Sequence, residues 1–386
     1  MSNDGNNIGT GRRLVRAVED GVVIEVATPA DDAALRQLLR QQSMPGWVRL
    51  SMQREPSYFV AAAIEGDRHS TVVAREIATG TVLGMGSRSV RTVFVDGRPR
   101  RLGYLGQFRR HPSRRRSIKL LIEAFRFCRG LRGPEELPYD LTAILADNAA
   151  ALRLFTGGLR GMPRYTAVDR LTTLIFPARA ARWPRGEPHA EAAGPDDIPR
   201  IATHLQNIHS RHQFAPVWTA DDLRCPVRCP ALAAGDFQVV REGGDVLGCA
   251  ALWDQRSFRQ IVVEGYSRPL AVLRPAINLG AALLGYPKLP RPRSPLKLAY
   301  VSHVAVENAD PAIFAALLRG VAGSAASRGV ELLAIGMSNC NPLLRVVRRM
   351  YPCRRIESIL CLVHDEVDAP CRPLDGRMAH PEIAVL

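Results

Sequence analysis

One ten-residue stretch occurs twice in this chain, and that repetition constrains the fold before any motif is considered. Leu102-Gly103-Tyr104-Leu105-Gly106-Gln107-Phe108-Arg109-Arg110-His111 aligns with Leu298-Ala299-Tyr300-Val301-Ser302-His303-Val304-Ala305-Val306-Glu307 at an offset of 196. Leu and Tyr match, and small residues stand opposite small residues. Upstream, Pro29-Ala30-Asp31-Asp32 reads against Gly194-Pro195-Asp196-Asp197 at an offset of 165, each followed by a helix-like run. Downstream, Asn148 stands against Asn341 at an offset of 193, each opening another apolar helical run. Pairs that keep their order while the offset drifts predict two diverged copies of one domain. The growth from 165 to 196 predicts an insertion of about 31 residues in the second copy. The Pro- and Arg-rich stretch from Gly265 to Lys297 has that length.

Two domains are also what 386 residues predict. The chain divides into a polar tail (1–20), a first copy (21–177), a linker (178–194), a second copy (195–366, insertion about 265–297) and a second tail (367–386). The most apolar stretch, Pro269 to Leu284, is broken by Arg274, Pro275 and Asn278, which argues against a membrane-spanning helix. The N-terminus lacks the apolar core of a signal peptide, so a cytoplasmic location is expected. Of the eight cysteines only Cys225 and Cys229 are close, and no second ligand pair follows. Reduced thiols, with no metal, are therefore expected. The net charge of +15 is carried almost wholly by Arg, with Lys119, Lys288 and Lys297 the only lysines. Such charge suits a polyanionic partner. The arginines are not interleaved with aromatics, and no helix-turn-helix or zinc finger stands out, which argues against nucleic acid.

Periodicity predicts, in copy one, a strand at Val22–Val26 and a helix capped by Asp31 or Asp32. Strands follow at Ser70–Arg75 and Thr81–Arg88, then a pair at Arg91–Val95 and Arg101–Phe108 around the hairpin dipeptide Asp96-Gly97. A helix at Ser117–Cys128, a strand at Tyr139–Leu145, a helix at Asn148–Phe155 and a strand at Leu171–Phe176 complete it. Copy two repeats this order, with strands at Phe237–Arg241, Val246–Leu252, Gln260–Val263, Lys297–Val306, Glu331–Gly336 and Ile356–Val363. Its helices follow Asp196-Asp197 and lie at Pro311–Arg328 and Pro342–Met350.

This order is an α/β (α+β) mixed sheet, and it resembles the GNAT acyl-CoA N-acyltransferase fold in tandem. In that family the loop between the central strand and its helix reads roughly Arg-x-x-Gly-x-Gly/Ala, and its N–H groups hold the CoA pyrophosphate. The matching segment is His111-Pro112-Ser113-Arg114-Arg115-Arg116-Ser117-Ile118-Lys119. Arg114 takes the Arg position, while Ser117 and Lys119 replace the two Gly. By resemblance Phe108, Arg109 and Arg110 at the strand end, then Arg114, Arg115, Arg116, Ser117, Ile118 and Lys119, would bind acetyl-CoA or another acyl-CoA. A second family motif, Asn-x-x-Ala-x-x-Leu-Tyr-x-x-x-Gly-Phe or its one-shorter form, is matched at Asn148, Ala151, Leu154, Phe155, Gly158 and Leu159. The resemblance implies that Asn148 bonds the pantetheine arm. The position of Phe155 is often a Tyr that protonates the leaving thiolate, which Phe cannot do.

Copy two departs further. Glu307 and Asp310 stand where the phosphate loop would be and would repel a pyrophosphate, so copy two is expected to shape the cleft without binding CoA. For proton transfer the sequence offers Tyr104 on the copy-one strand and His303 at the place of Gln107 on the copy-two strand. In the insertion, Leu273, Ile277 and Leu284 fall on one helical face beside Arg268 and Arg274. It reads either as a membrane-surface or acyl-chain lid or as a helix packed across the copies. The implied activity is acetyl transfer to a primary amine, on a small molecule or a protein. The rivals are a non-catalytic CoA-binding sensor and a polyanion-binding adaptor.

Overall fold

A computed structural model describes residues 15–18, 21–44, 46–111, 117–179, 188–365 and 373–386. In copy one, β1 (Val15–Val18) and β2 (Val22–Val26) lead into α1 (Asp32–Gln41). The apolar stripe of α1, Leu35, Leu38 and Leu39, is buried. β3 (Val48–Gln53) and α2 (Tyr58–Ala62) follow, then β4 (Arg68–Glu76), β5 (Val82–Val95) and β6 (Arg98–Arg110). The two strands expected within 81–95 are one strand. Asp96 and Gly97 turn it at φ of 50° and 75°, the left-handed values a two-residue hairpin requires. α3 (Ile118–Gly130), β7 (Glu136–Leu145), α4 (Ala149–Thr156) and β8 (Arg164–Pro177) close the copy. Copy two runs through β9 (Glu191–Ala192), α5 (Ile198–His209), α6 (Ala220–Arg224), β10 (Phe237–Glu242), β11 (Asp245–Trp253) and β12 (Gln260–Tyr266). It ends with α7 (Arg268–Leu283), β13 (Ser294–Pro295), β14 (Leu298–Val306), α8 (Pro311–Ser327), β15 (Leu332–Ser338), α9 (Leu343–Met350) and β16 (Arg354–His364).

Among the described residues, thirteen strands form one sheet in the order β1-β2-β4-β5-β6-β7-β16-β8-β15-β14-β11-β10-β9. Read inward from each edge, β2-β4-β5-β6-β7 repeats as β9-β10-β11-β14-β15. The last strands are exchanged. β16 of copy two pairs with β7 of copy one (Cys361 opposite Thr142), and β8 of copy one pairs with β15 of copy two (Leu333 opposite Phe176). β8 and β16 then pair with each other at the centre. The halves of the chain are thus not separable halves of the structure.

The helix starts also repeat. Asp31 accepts the Thr28 N–H at 2.8 Å, and Asp197 accepts the Gly194 N–H at 2.7 Å. That geometry pairs Pro29 with Pro195, one residue off the alignment read from the sequence. Asn148 accepts the Ala151 N–H at 3.1 Å and Asn341 the Leu343 N–H at 2.9 Å, so both open their helices.

Other parts of the sequence reading are corrected. Residues 15–18, placed in a tail, are the edge strand β1. Residues 373–386 are not a tail either, because Ala384 and Val385 are buried in the core of copy two. β12 leaves the main sheet and joins β13 and β3 of copy one in a second sheet. The insertion does form a helix, α7, but none of its residues is buried, and Leu283 is 80% exposed. It does not bridge the two copies through a packed face. Among the described residues no helix is long and apolar enough to cross a membrane.

Candidate active-site cleft

The parallel pairing of β6 with β7 stops at Tyr104 opposite Leu141. Beyond it the strands part, and Thr142 Oγ1 donates to the Leu105 carbonyl at 2.8 Å in place of a ladder bond. On its other edge β6 carries a bulge. Gly106 pairs with Ser87 and Arg109 with Met85, so Gln107 and Phe108 stand opposite Gly86 alone. Gln107 has φ 52°. Copy two has the same device at the same offset. β14 and β15 part after Tyr300, and His303 (φ 52°) and Val304 stand opposite Ala250.

The two wedges are filled differently. In copy two, Glu382 Oε2 accepts the His303 N–H at 2.8 Å, and a Cβ on Gly336 would lie 2.3 Å from Ile383. The segment 382–386 therefore plugs that wedge. The His303 imidazole is fully buried against Trp218, Phe237 and Trp253, at centroid distances of 4.4, 5.4 and 5.4 Å. Burial holds its pKa well below the usual histidine value. With no exposed surface it cannot reach an acceptor, so the expectation of a catalytic His303 gives way to a packing role.

In copy one the α3 side of the wedge is lined by an aromatic cluster. Phe108 stacks on Phe125 at 5.7 Å, and Phe155 stacks on Tyr165 at 5.2 Å with its edge toward Phe108. Phe108 is still 44% exposed. Tyr165, on β8, sets a phenol against the ring that lacks one. Sequence reading missed it, because nothing in the spacing ties β8 to α4. Burial pushes the Tyr165 pKa up, so it stays protonated. Tyr104 sits where the ladder ends, hydrogen-bonded to the Ala143 backbone, and burial likewise raises its pKa. A phenol held neutral cannot serve as a base.

Of the expected CoA-contact residues, Ser117 caps α3 by accepting the Leu120 N–H at 3.2 Å, and Ile118 and Lys119 are exposed in its first turn. Arg114, Arg115 and Arg116 lie outside the described residues. Arg110 is exposed at the strand end. Arg109 departs from expectation. It turns toward Arg54 and Tyr58, on the sheet face opposite α3, because residues next to each other in a strand point to opposite faces.

That opposite face holds a cleft between the copies. Gln107, Gln53 and Arg54 line it from copy one, and Gln260, Arg259 and Tyr300 from copy two. Glu65, itself buried, joins the two sides. It accepts from Arg54 and, at 2.5 Å, from Arg259, and these charges hold its carboxyl far below the usual range against the opposing effect of burial. The copy-one wedge and the cleft thus meet at Gln107 from opposite faces of one strand.

No family model and no curated protein matches the sequence. Solved structures do. A GCN5-related N-acetyltransferase from Sphaerobacter thermophilus is 15% identical with a TM-score of 0.51, over 92% of this chain and 99% of that one. The N-myristoyltransferase of Saccharomyces cerevisiae, solved with bound myristoyl-CoA, is 11% identical with a TM-score of 0.60, over 96% and 86%. A GCN5-related glucosamine N-acetyltransferase region of a fungal multi-domain GH3 β-N-acetylglucosaminidase gives 13% identity and 0.56, over 89% of this chain and 38% of that one. At such identities the likeness is one of architecture, and in architecture the chain has the GNAT acyltransferase fold.

Proposed function

We propose that this chain is an acyl-CoA-dependent N-acyltransferase that moves an acetyl group to a primary amine by direct attack, with copy one holding the donor. The observation that carries the reading is the parted β6–β7 pair with its bulge at Gln107, open to a helix N-terminus on one face and to a cleft on the other. The α3 start and the basic segment 112–119 receive the pyrophosphate. Asn148 meets the pantetheine arm. The thioester carbonyl lies at the bulge, where main-chain N–H groups polarise it. In copy two the matching N–H is taken by Glu382. Among the described residues no side chain accepts from Gln107, which favours copy one as the donor site.

The amine enters from the cleft as the free base. Its lone pair attacks the carbonyl carbon, the proton left on the nitrogen passes to water, the oxyanion collapses, and the C–S bond breaks. Tyr165, whose ring stacks on Phe155, stands in for the phenol that Phe155 lacks: it gives its proton to the thiolate and regains one from water. Tyr104 positions the end of β7. The aromatic cluster of Phe108, Phe125, Phe155 and Tyr165 lines the α3 side of the wedge with rings in mutual contact, and on this reading a short acetyl group suits it better than a long chain.

The test is calorimetric titration of acetyl-CoA and, separately, myristoyl-CoA into the protein and into an Arg114→Ala, Asn148→Ala variant, followed by an amine screen. Saturable acetyl-CoA binding that the variant loses is the expected result. Absence of binding to either donor would sink the reading. Tyr165→Phe should lower kcat by about a hundredfold at unchanged acetyl-CoA affinity.

A further inference from the structure

The cleft holds more positive charge than its own carboxylates balance. Arg54 is 4% exposed, and Arg54 and Arg259 both donate to the same oxygen of Glu65. Two guanidinium groups thus share half of one carboxylate. Arg54 Nη1 and Arg259 Nε are buried with no hydrogen-bond partner among the described residues. Arg109 adds a third cation nearby, and among the described residues it donates only to the Phe108 carbonyl, at 2.9 Å. Arg256, at the rim, is already matched by Asp254 at 2.6 and 2.8 Å. Burial pulls the Arg259 pKa down to about 10, against the raising effect of Glu65. Buried guanidinium groups with empty donors are costly until an anion meets them. Their forked N–H groups match the oxygens of a carboxylate or phosphate.

We propose that the cleft binds an oxyanion, carboxylate or phosphate, between Arg54 and Arg259, and that the amine acceptor carries it. The second clause rests on the acyltransferase reading, and the first does not.

The site is tested without acyl-CoA. Sodium phosphate and sodium acetate are titrated against the full chain, with thermal unfolding as readout and sodium chloride at matched ionic strength as reference. One oxyanion should stabilise the protein saturably, and the tighter arm identifies its type. Arg54→Gln should weaken that binding at least about tenfold. Glu65→Gln removes the competing carboxylate and should strengthen it. Opposite shifts in two variants cannot arise from misfolding or from surface charge. Equal responses to chloride and both oxyanions, or binding that neither variant changes, would overturn the site. The acceptor clause is tested by turnover of glycine against glycinamide and of O-phosphoethanolamine against ethanolamine. No preference for the anionic partner of either pair would overturn it, while the binding result would stand.

Discussion

The two wedges are built on one plan and held by opposite chemistry. In copy one, Arg88 on β5 and Asp140 on β7 meet at 2.7 Å under the end of the ladder, and Arg88 also reaches Glu136 at 2.6 Å. Arg88 stands opposite Leu105, and Asp140 opposite Gly103. At the matching places in copy two stand Leu252, opposite Val301, and Leu333, opposite Ala299, both fully buried. Gly103 belongs to the ionic version: a Cβ there would lie 1.9 Å from Asp140 Oδ1. Ala299 has its Cβ because hydrocarbon surrounds it. One copy has an ion-paired floor beneath an open wedge. The other has an apolar floor and a wedge plugged by its own C-terminal segment. The two copies share the backbone device, and their side chains settle whether it stays open or is packed into the core.

The largest expected effect comes from breaking the ionic floor. Arg88→Leu should cost about 3–5 kcal/mol, because it takes the shared guanidinium from two buried carboxylates and leaves them only Arg132 and Arg68. Arg88→Leu with Asp140→Leu, which copies the Leu252–Leu333 solution, should recover most of that in denaturant melts. A double variant no better than the single would mean that the two floors are not interchangeable.

Acid should act mainly on copy two. Burial lowers His209 to about 4, although the carbonyls of Pro216 and Val304 lie 2.9 and 3.2 Å from its ring nitrogens. His204, His212, His303 and His380 are lowered as well, burial again the first cause. Between about 4 and the ordinary histidine value near 6.5 the unfolded chain binds the extra proton, so stability falls as pH falls through that window. His209 alone should account for about 3 kcal/mol by pH 4. Melts that stay flat from pH 7 to 4.5 would contradict its burial.

Unplugging the copy-two wedge should be milder. Glu382→Leu leaves the His303 N–H without its acceptor and should cost about 1–3 kcal/mol. Acetyl-CoA affinity should not change, and a tenfold loss would place the donor in the wrong copy. The smallest effects fall on the two helix starts. Asn148→Ala and Asn341→Ala each remove a helix cap and should each cost about 1 kcal/mol. Only the first should also weaken acetyl-CoA binding.

Much of this was legible in the sequence because it is local. The repeat, the helix caps, the Asp96-Gly97 hairpin and the alternation of β6 all depend on neighbours a few residues away. The offset of 196 even aligned Gln107 with His303, which the structure shows to be equivalent bulges. What escaped depends on distant partners. No residue in β16 states that its neighbour is β7 and not β15, since both present an apolar edge. His303 has the composition of a base, and only the surrounding Trp218, Phe237 and Trp253, from three separate segments, make it core. Tyr165 became visible as a site candidate only when β8 brought it against α4. The cleft charges Arg54, Glu65 and Arg259 lie far apart in sequence, and the insertion beside Arg259 gave no sign that β12 would pair with β3.

The exchange of β8 and β16 also sets a schedule for synthesis. When β7 leaves the ribosome, its partner edge, Asp140 to Leu145, has to wait for Ser358 to Val363. About two hundred residues separate them, which at about 5–20 residues per second is roughly 10–40 seconds of translation. Through that interval the nascent chain carries an apolar strand with one open edge, the kind of surface that recruits other strands. Slow codons placed between the copies therefore prolong the exposure of an edge that only the final strand can close, and a stop codon there leaves it open for good.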